Sequence, residues 1–325
     1  MAEFSVIKLT NLSPFHIGTG KENYDFSSSR LHSDTISSAL AAIRVQLGKK
    51  DDVETFLQSF SISSAYPFYK DVLFMPKPQG RILVEVEGEE EYMYRKQLKK
   101  VQYLELSLWK RIIRGEKISV KASQIVRDYI VDEKTTLPTL YDTQVNERVF
   151  VPRNTIDADP FFFEWTFSHQ EAGLFVLTDA TGVLLEEICE LMKMLGEQGI
   201  GTDKNVGGGK FVPQISGSLN VETSTDANAR LLLSLYIPKK EEFSNISLEE
   251  SLFNLCKRGG FIAGSEHPQF RHLRKRSVFM FGVGSILKTN QDLIGKIVNL
   301  RPDWNDQSLH PVFRSGRALS LPINL

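Results

Sequence analysis

The 325-residue chain has only two cysteines, Cys189 and Cys256, and no CxxC or Cys/His pair at metal-ligand spacing. That argues against a zinc site, and no metal or cofactor is expected. Both thiols sit among apolar residues, in Glu186-Glu187-Ile188-Cys189 and Phe253-Asn254-Leu255-Cys256. They read as reduced core thiols of a cytosolic, that is cytoplasmic, protein. No run of about 18 apolar residues is present, so no membrane span is expected. The opening residues, Met1-Ala2-Glu3-Phe4-Ser5-Val6-Ile7-Lys8, lack the charged and apolar regions of a signal peptide. An excess of one charge sign is missing as well: 39 Lys and Arg face 40 Asp and Glu, a formal net charge of −1. A stand-alone protein that grips nucleic acid non-specifically is usually basic, because phosphate neutralisation supplies much of its affinity. The overall balance counts against such a protein, and local charge is the better test.

What remains is an ordinary globular composition, 41% apolar and 24% charged with 21 phenylalanines, enough to build a sizeable core. The length suits two domains. Residues 3–11 read as a strand, followed by the glycine-containing loop Ser13-Pro14-Phe15-His16-Ile17-Gly18-Thr19-Gly20. Ile36, Leu40, Ile43 and Leu47 recur at helical spacing and predict a helix over 33–47, with Ser33 or Asp34 as its cap. Short strands are expected at 72–76 and 81–86. Nine Lys or Arg against two acids lie between Met93 and Lys121, with apolar residues at 94, 98, 101, 104, 108 and 112. This predicts a helical insertion with a basic face. Residues 122–160 read as loop-rich, with strands at 161–167 and 173–178 and a helix at 181–196. Beyond the polar stretch 223–228, strand 231–237, helix 248–257 and strand-like runs at 278–282, 296–300 and 317–323 suggest a smaller unit. The expected fold class is α+β, with two ferredoxin-like domains: 1–222, carrying an insertion at about 89–160, and 229–325.

The strongest local feature is Gly199-Ile200-Gly201-Thr202-Asp203-Lys204-Asn205-Val206-Gly207-Gly208-Gly209-Lys210-Phe211, between a helix and a strand. Its glycines permit positive φ and close backbone approach, and its N–H groups with Lys204 and Lys210 suit phosphate. A helix cap and flexible turn is the plainer reading, but five glycines in eleven residues exceed what a cap needs. The loop is not a Walker A motif, since Phe211 follows Gly209-Lys210, and it is not GxGxxG.

The G-x-G, five residues, G-x-G pattern of 199–209 resembles the glycine-rich loop of the RAMP superfamily of CRISPR effector subunits. Phe15-His16-Ile17-Gly18-Thr19-Gly20 and Leu31-His32-Ser33-Asp34-Thr35-Ile36-Ser37-Ser38-Ala39-Leu40 agree in order. Phe74-Met75-Pro76-Lys77-Pro78, Lys99-Lys100-Val101-Gln102-Tyr103-Leu104 and His310-Pro311-Val312-Phe313-Arg314-Ser315-Gly316-Arg317 are similar to the fourth-subunit family of type III-A (Csm) complexes. The resemblance implies RRM-like domains and binding of the 5′ repeat-derived tag of the crRNA. It also implies contacts with the large polymerase–nuclease subunit and a neighbouring backbone RAMP subunit. A thumb-like element near the first guide–target RNA position is implied too, with no catalysis by the subunit itself.

Single-stranded RNA is held by backbone contacts and by base stacking on aromatic or Arg planes. Candidate RNA-binding residues are therefore His16, Gly18, Gly20, Arg148, Arg153, Gly199, Gly201, Lys204, Gly207, Gly208, Gly209, Lys210, Arg271 and Arg276. Tyr141, Arg148, Phe150 and Arg153 read as one basic–aromatic loop. Arg271, Arg274, Lys275 and Arg276 form a second cluster, with His267 and His272 close by in the sequence. The alternative function is a metal-independent endoribonuclease that processes CRISPR transcripts with His16, but no partner for it can be assigned. Asp34 suits a helix cap better than catalysis, and Asp157-Ala158-Asp159 suits a turn better than a cation site.

Overall fold

The computed structural model describes residues 1–18, 27–28, 30–80, 82–88, 91–150, 159–223, 226–262, 268–270, 272–303 and 308–325. The fold is α+β, with many strands and few helices. Its largest sheet runs in the spatial order Val212–Val221, Ala2–Thr10, Ala172–Thr178, Tyr66–Tyr69, Val72–Pro76, Tyr103–Glu105, Tyr129–Ile130, Ile125–Val126. The strand Ala2–Thr10 lies inside it, antiparallel to both neighbours. Its alternation sends Phe4 and Val6 into one apolar cluster and Ile7 and Leu9 into another.

Both sheet faces are therefore covered. On one face, Ile36, Leu40 and Ile43 of helix α1 (Ser33–Gln46) pack with Ile188, Leu191 and Leu195 of the helix Gly182–Gln198. On the other, Phe175 and Leu177 share a core with Leu231, Leu233, Leu235 and Leu321 from the C-terminal part of the chain. That part has its own four-stranded sheet, ordered Ser247–Leu252, Ile286–Lys288, Ala229–Leu232, Ser320–Ile323. Among the described residues no helix is long and apolar enough to cross a membrane.

Three expectations fail for tertiary reasons. The basic helix over 94–112 is broken into Glu91–Lys100 and Leu106–Ile113, because Tyr103–Glu105 pairs with Phe74–Pro76. The loop-rich stretch holds a ten-residue strand, Tyr141–Phe150, in hairpin register with Asp159–Ser168. The helix over 248–257 is two strands, Ser247–Leu252 and Leu255–Arg258, each paired with a later strand. Sheet pairing overrides weak local periodicity in all three.

The capping expectation at α1 is also corrected. His32 is the N-cap and makes no side-chain cap bond, while Ser33 and Asp34 lie in the first turn. Asp34 is completely buried and faces the C-terminal part of the chain. Arg258 grips it with a fork, at 2.9 Å and 3.1 Å, and Arg314 makes a second ion pair with it. Ser33 accepts the Leu235 N–H at 2.9 Å, and the Ser64 N–H donates to the Leu233 carbonyl at 3.0 Å. The first turn of α1 is thus a joint between the two ends of the chain.

Burial, then the charges of Arg258, Arg30 and Arg314, lower the His32 imidazole from 6.5 to about 3. Between those values the unfolded chain binds one more proton here than the folded chain. Stability should therefore fall as pH drops from 6.5 towards 3, by up to about 1.4 kcal/mol per pH unit from this group. Denaturant unfolding across pH 4–7 should show a flatter profile in His32→Gln. An unchanged slope would contradict the burial of a neutral imidazole.

Candidate nucleic-acid interface

Gly199, at φ +85°, ends the helix Gly182–Gln198, and its N–H donates to Leu195 at 2.7 Å. The loop that follows closes on itself and on residues 13–16. Ile200 N–H donates to the Gly209 carbonyl, Gly209 N–H to Pro14 and Thr202 N–H to His16, at 2.9, 2.9 and 3.0 Å. Ser13 Oγ donates to the Gly207 carbonyl and accepts from Lys210 N–H. The sequence suggests close approach of these glycines to a ligand, yet several approach the protein's own backbone. A Cβ on Gly209 would lie 1.9 Å from the Ile200 oxygen, one on Gly201 2.4 Å from the His16 oxygen, and one on Gly199 2.3 Å from the Gly208 oxygen. A Cβ on Gly208 would strike the Trp165 ring at 2.8 Å, whereas one on Gly207 would meet nothing within 4 Å.

The paired strands Tyr141–Phe150 and Asp159–Ser168 form the wall beside this loop. Arg148 pairs with Asp203, and its guanidinium lies 4.4 Å from the Phe163 ring and 5.4 Å from Trp165. Asp203, the neighbour of Lys204 in sequence, is thus engaged by Arg148. Lys204 and Lys210 remain exposed on the loop. His16 is 1% exposed under it, with Nδ1 2.8 Å from the Glu164 carbonyl and its ring 4.6 Å from Phe163. It ties the first loop to this strand pair, and Gly18 follows at the exposed edge.

The structure thus brings together His16, Gly18, Arg148, Gly199, Gly201, Lys204, Gly207, Gly208, Gly209 and Lys210. Gly20, Arg153 and Arg271 lie outside the described residues, as do Asp157, His267 and the side chain of Phe150. Arg276 contacts the Asn299 carbonyl at 3.1 Å and Asp303 at 3.8 Å, away from the loop. Over Tyr141–Phe150 the expected basic–aromatic loop is a strand. In it Tyr141 donates to the Gly173 carbonyl at 2.7 Å, and burial pushes its phenol well above the usual range. Phe163, Trp165 and Asp203 were missed as site residues. An aromatic alternating with acid and hydroxyl in Phe161-Phe162-Phe163-Glu164-Trp165-Thr166 was the available signal. Among the described residues no group of three or more His, Cys, Asp or Glu could hold a metal ion.

The sequence pattern of the RAMP superfamily matches residues 8–212, and that of the CRISPR Csm4 C-terminal domain matches residues 225–323. The curated "CRISPR system Cms protein Csm4" of Thermococcus onnurineus (strain NA1) is 25% identical over 288 residues, covering 86% of this chain and 87% of that protein. A chain of the crystal structure of the Csm3-Csm4 subcomplex in the type III-A CRISPR-Cas interference complex superposes with a TM-score of 0.64. It is 18% identical and covers 99% of this chain and 100% of that one. A chain of the Csm1-Csm4 cassette in complex with cA4 gives 0.62 at 19% identity, covering 100% and 99%. At these identities the two structures establish the likeness of fold.

The loop geometry separates two glycines. Both have positive φ, +88° at Gly207 and +69° at Gly209, but only Gly209 is also sterically shut. Gly207→Ala should cost about 1–2 kcal/mol and Gly209→Ala about 3 kcal/mol or more in denaturant unfolding. Equal losses would show that the loop does not close as described.

Proposed function

This chain belongs to the RAMP superfamily and is Csm4-like, and from that premise we propose that it binds the 5′ repeat-derived tag of crRNA in a type III-A CRISPR (Csm) effector complex. The observation that carries the proposal is the Arg148–Asp203 pair seated over Phe163 and Trp165. It fixes the glycine loop with Lys204 and Lys210 outward and Gly207 open. A backbone of phosphates can run along that edge, while Phe163 and Trp165, both buried, hold Arg148 in place rather than offer a face to a base. His16, Gly199, Gly201, Gly208 and Gly209 act here as positioning residues, and Gly18, Gly207, Lys204 and Lys210 as the contact edge. Gly20, Arg153, Arg271 and Arg276 extend the proposed contacts.

The role is structural rather than catalytic. A general base needs access to a substrate proton, and His16 is buried with Nδ1 committed to a carbonyl. No observation favours the endoribonuclease alternative over this reading. The domain division proposed is 1–222 and 229–325, each ferredoxin-like. The thumb is proposed to be the strand pair Tyr141–Phe150 and Asp159–Ser168, whose outer face exposes Val145, Val149 and Phe162, rather than a basic helix. It would sit near the first guide–target RNA position. The names of the similar structures supply the proposed partners, a large Csm1-type polymerase–nuclease subunit and a neighbouring Csm3-type backbone subunit. The proposed location is the cytoplasm.

Replacing Lys204 and Lys210 together with Gln should weaken tag-RNA binding and reduce the slope of log affinity against log salt by about 1.4, for two single-strand phosphate contacts. Fluorescence anisotropy at 50–300 mM salt reads both quantities. An unaltered slope with a folded variant would remove this edge from the RNA path.

A further inference from the structure

In the C-terminal part of the chain, residues 255–262 run antiparallel to residues 273–281 as a two-stranded ribbon. Leu255–Arg258 pairs with Val278–Phe281. The pairing continues through a bridge between Phe261 and Arg274, and the Ile262 N–H donates to the Leu273 carbonyl at 2.9 Å. Alternation gives the ribbon two faces. The inner face carries Cys256, Val278 and Met280, which join the main apolar cluster, and Arg258, which grips Asp34. The outer face carries Leu255, Lys257 and Phe261 on one strand and Arg274, Arg276 and Phe279 on the other, all exposed.

Phe279 is 62% exposed, the most exposed phenylalanine among the described residues, and Leu255 and Phe261 are 54% and 40% exposed. Single apolar groups on a surface need no explanation, but several on one face mark a contact surface. The charged groups among them are all cations. Lys257 stands directly across from Phe279, and the Arg274 guanidinium lies 4.8 Å from the centre of the Phe261 ring. Arg276, at the margin, approaches Asp303 at 3.8 Å. From Phe253 to Phe281 the sequence has six Lys or Arg against one acid, Glu266, which lies outside the described residues.

Rings interleaved with cations on such a face complement a polyanion that carries stackable groups, and single-stranded nucleic acid is both. A ring receives a base only when that base has left its own stack, which selects a single strand over a duplex. Phe163 and Trp165 beside the glycine loop are buried, so the ribbon supplies the rings that the loop edge lacks. Its inner face is anchored in the core and at Asp34, so the outer rings are held in place before a ligand arrives.

We propose that the outer face of this ribbon is a stacking platform for single-stranded RNA, on which Phe279 and the Phe261–Arg274 pair each receive a base and Lys257 receives a phosphate. The inference rests on the RNA-binding reading above and adds a second contact, in the C-terminal part of the chain, to that of Lys204 and Lys210.

The test uses the full chain and a short fluorescein-labelled oligouridine, followed by anisotropy. Phe279→Ala should weaken binding about tenfold through the loss of one stacked base and leave the salt slope unchanged. Lys257→Gln should reduce the slope of log affinity against log salt by about 0.7, for one single-strand phosphate contact. Phe279→Trp should keep the wild-type affinity, and RNA should quench the fluorescence of its added indole. Unchanged affinity in Phe279→Ala, or an indole that bound RNA does not quench, overturns the proposal. So does a Phe279→Ala variant that binds RNA normally but no longer retains the large subunit, which would mark the face as a protein interface. Binding weakened by Lys204→Gln/Lys210→Gln but not by Phe279→Ala would remove the platform and leave the RNA-binding reading standing. The converse result would sustain the platform and remove the glycine-loop edge, and a wild-type chain that binds no oligouridine would sink both.

Discussion

A carboxylate removed from water has to be compensated, and Asp34 is completely buried with two guanidinium groups from the far end of the sequence. Much of the remaining architecture depends on that arrangement. It sets the first turn of α1 against the C-terminal part of the chain. The apolar core under the large sheet then closes around Leu231, Leu233 and Leu235. The segment entering α1 is tied back to the first loop, where Ile17 N–H donates to Ser27 Oγ at 3.0 Å and Ser28 N–H to the Ile17 carbonyl at 2.8 Å.

The loop itself shows how a chain of nearly zero net charge can present a local basic edge. Arg148 and Asp203 neutralise each other against Phe163 and Trp165, in a partly desolvated setting where their mutual attraction is stronger than in water. What faces solvent is Lys204 and Lys210. Most of the loop's N–H groups are occupied by carbonyls and by Ser13, so its shape is built in rather than induced. A preformed edge loses little conformational freedom on meeting a ligand.

The sequence made some of this legible and not the rest. The strand Ala2–Thr10, α1, the helix Gly182–Gln198 and the strand Ala172–Thr178 have clean apolar periodicity, and their positions were readable. The strand Tyr141–Phe150 was not, because Asp142, Gln144, Asn146 and Arg148 fill the face it turns towards the loop and carry no apolar signal. The short strands from 247 to 258 were hidden because their pairing partners lie tens of residues on. Asp34 looked like a cap since an acid at a helix start is locally sufficient, while Arg258 is 224 residues away. The glycine loop was recognised as special, and the motifs identified the family. Its glycines, however, are required mainly by packing against Pro14, His16 and Ile200, which a linear pattern does not separate from packing against a ligand.

The claim on which the account turns is that Asp34 holds the two ends of the chain in one cooperative unit. Equilibrium denaturant unfolding of Asp34→Ala beside the wild type, followed by circular dichroism and by limited proteolysis, tests it most directly. The account predicts a loss of about 3–5 kcal/mol, because Arg258 and Arg314 are left buried without their counter-charge, together with early cleavage between the N-terminal and C-terminal parts. A variant within about 1 kcal/mol of the wild type and cleaved no faster would contradict it.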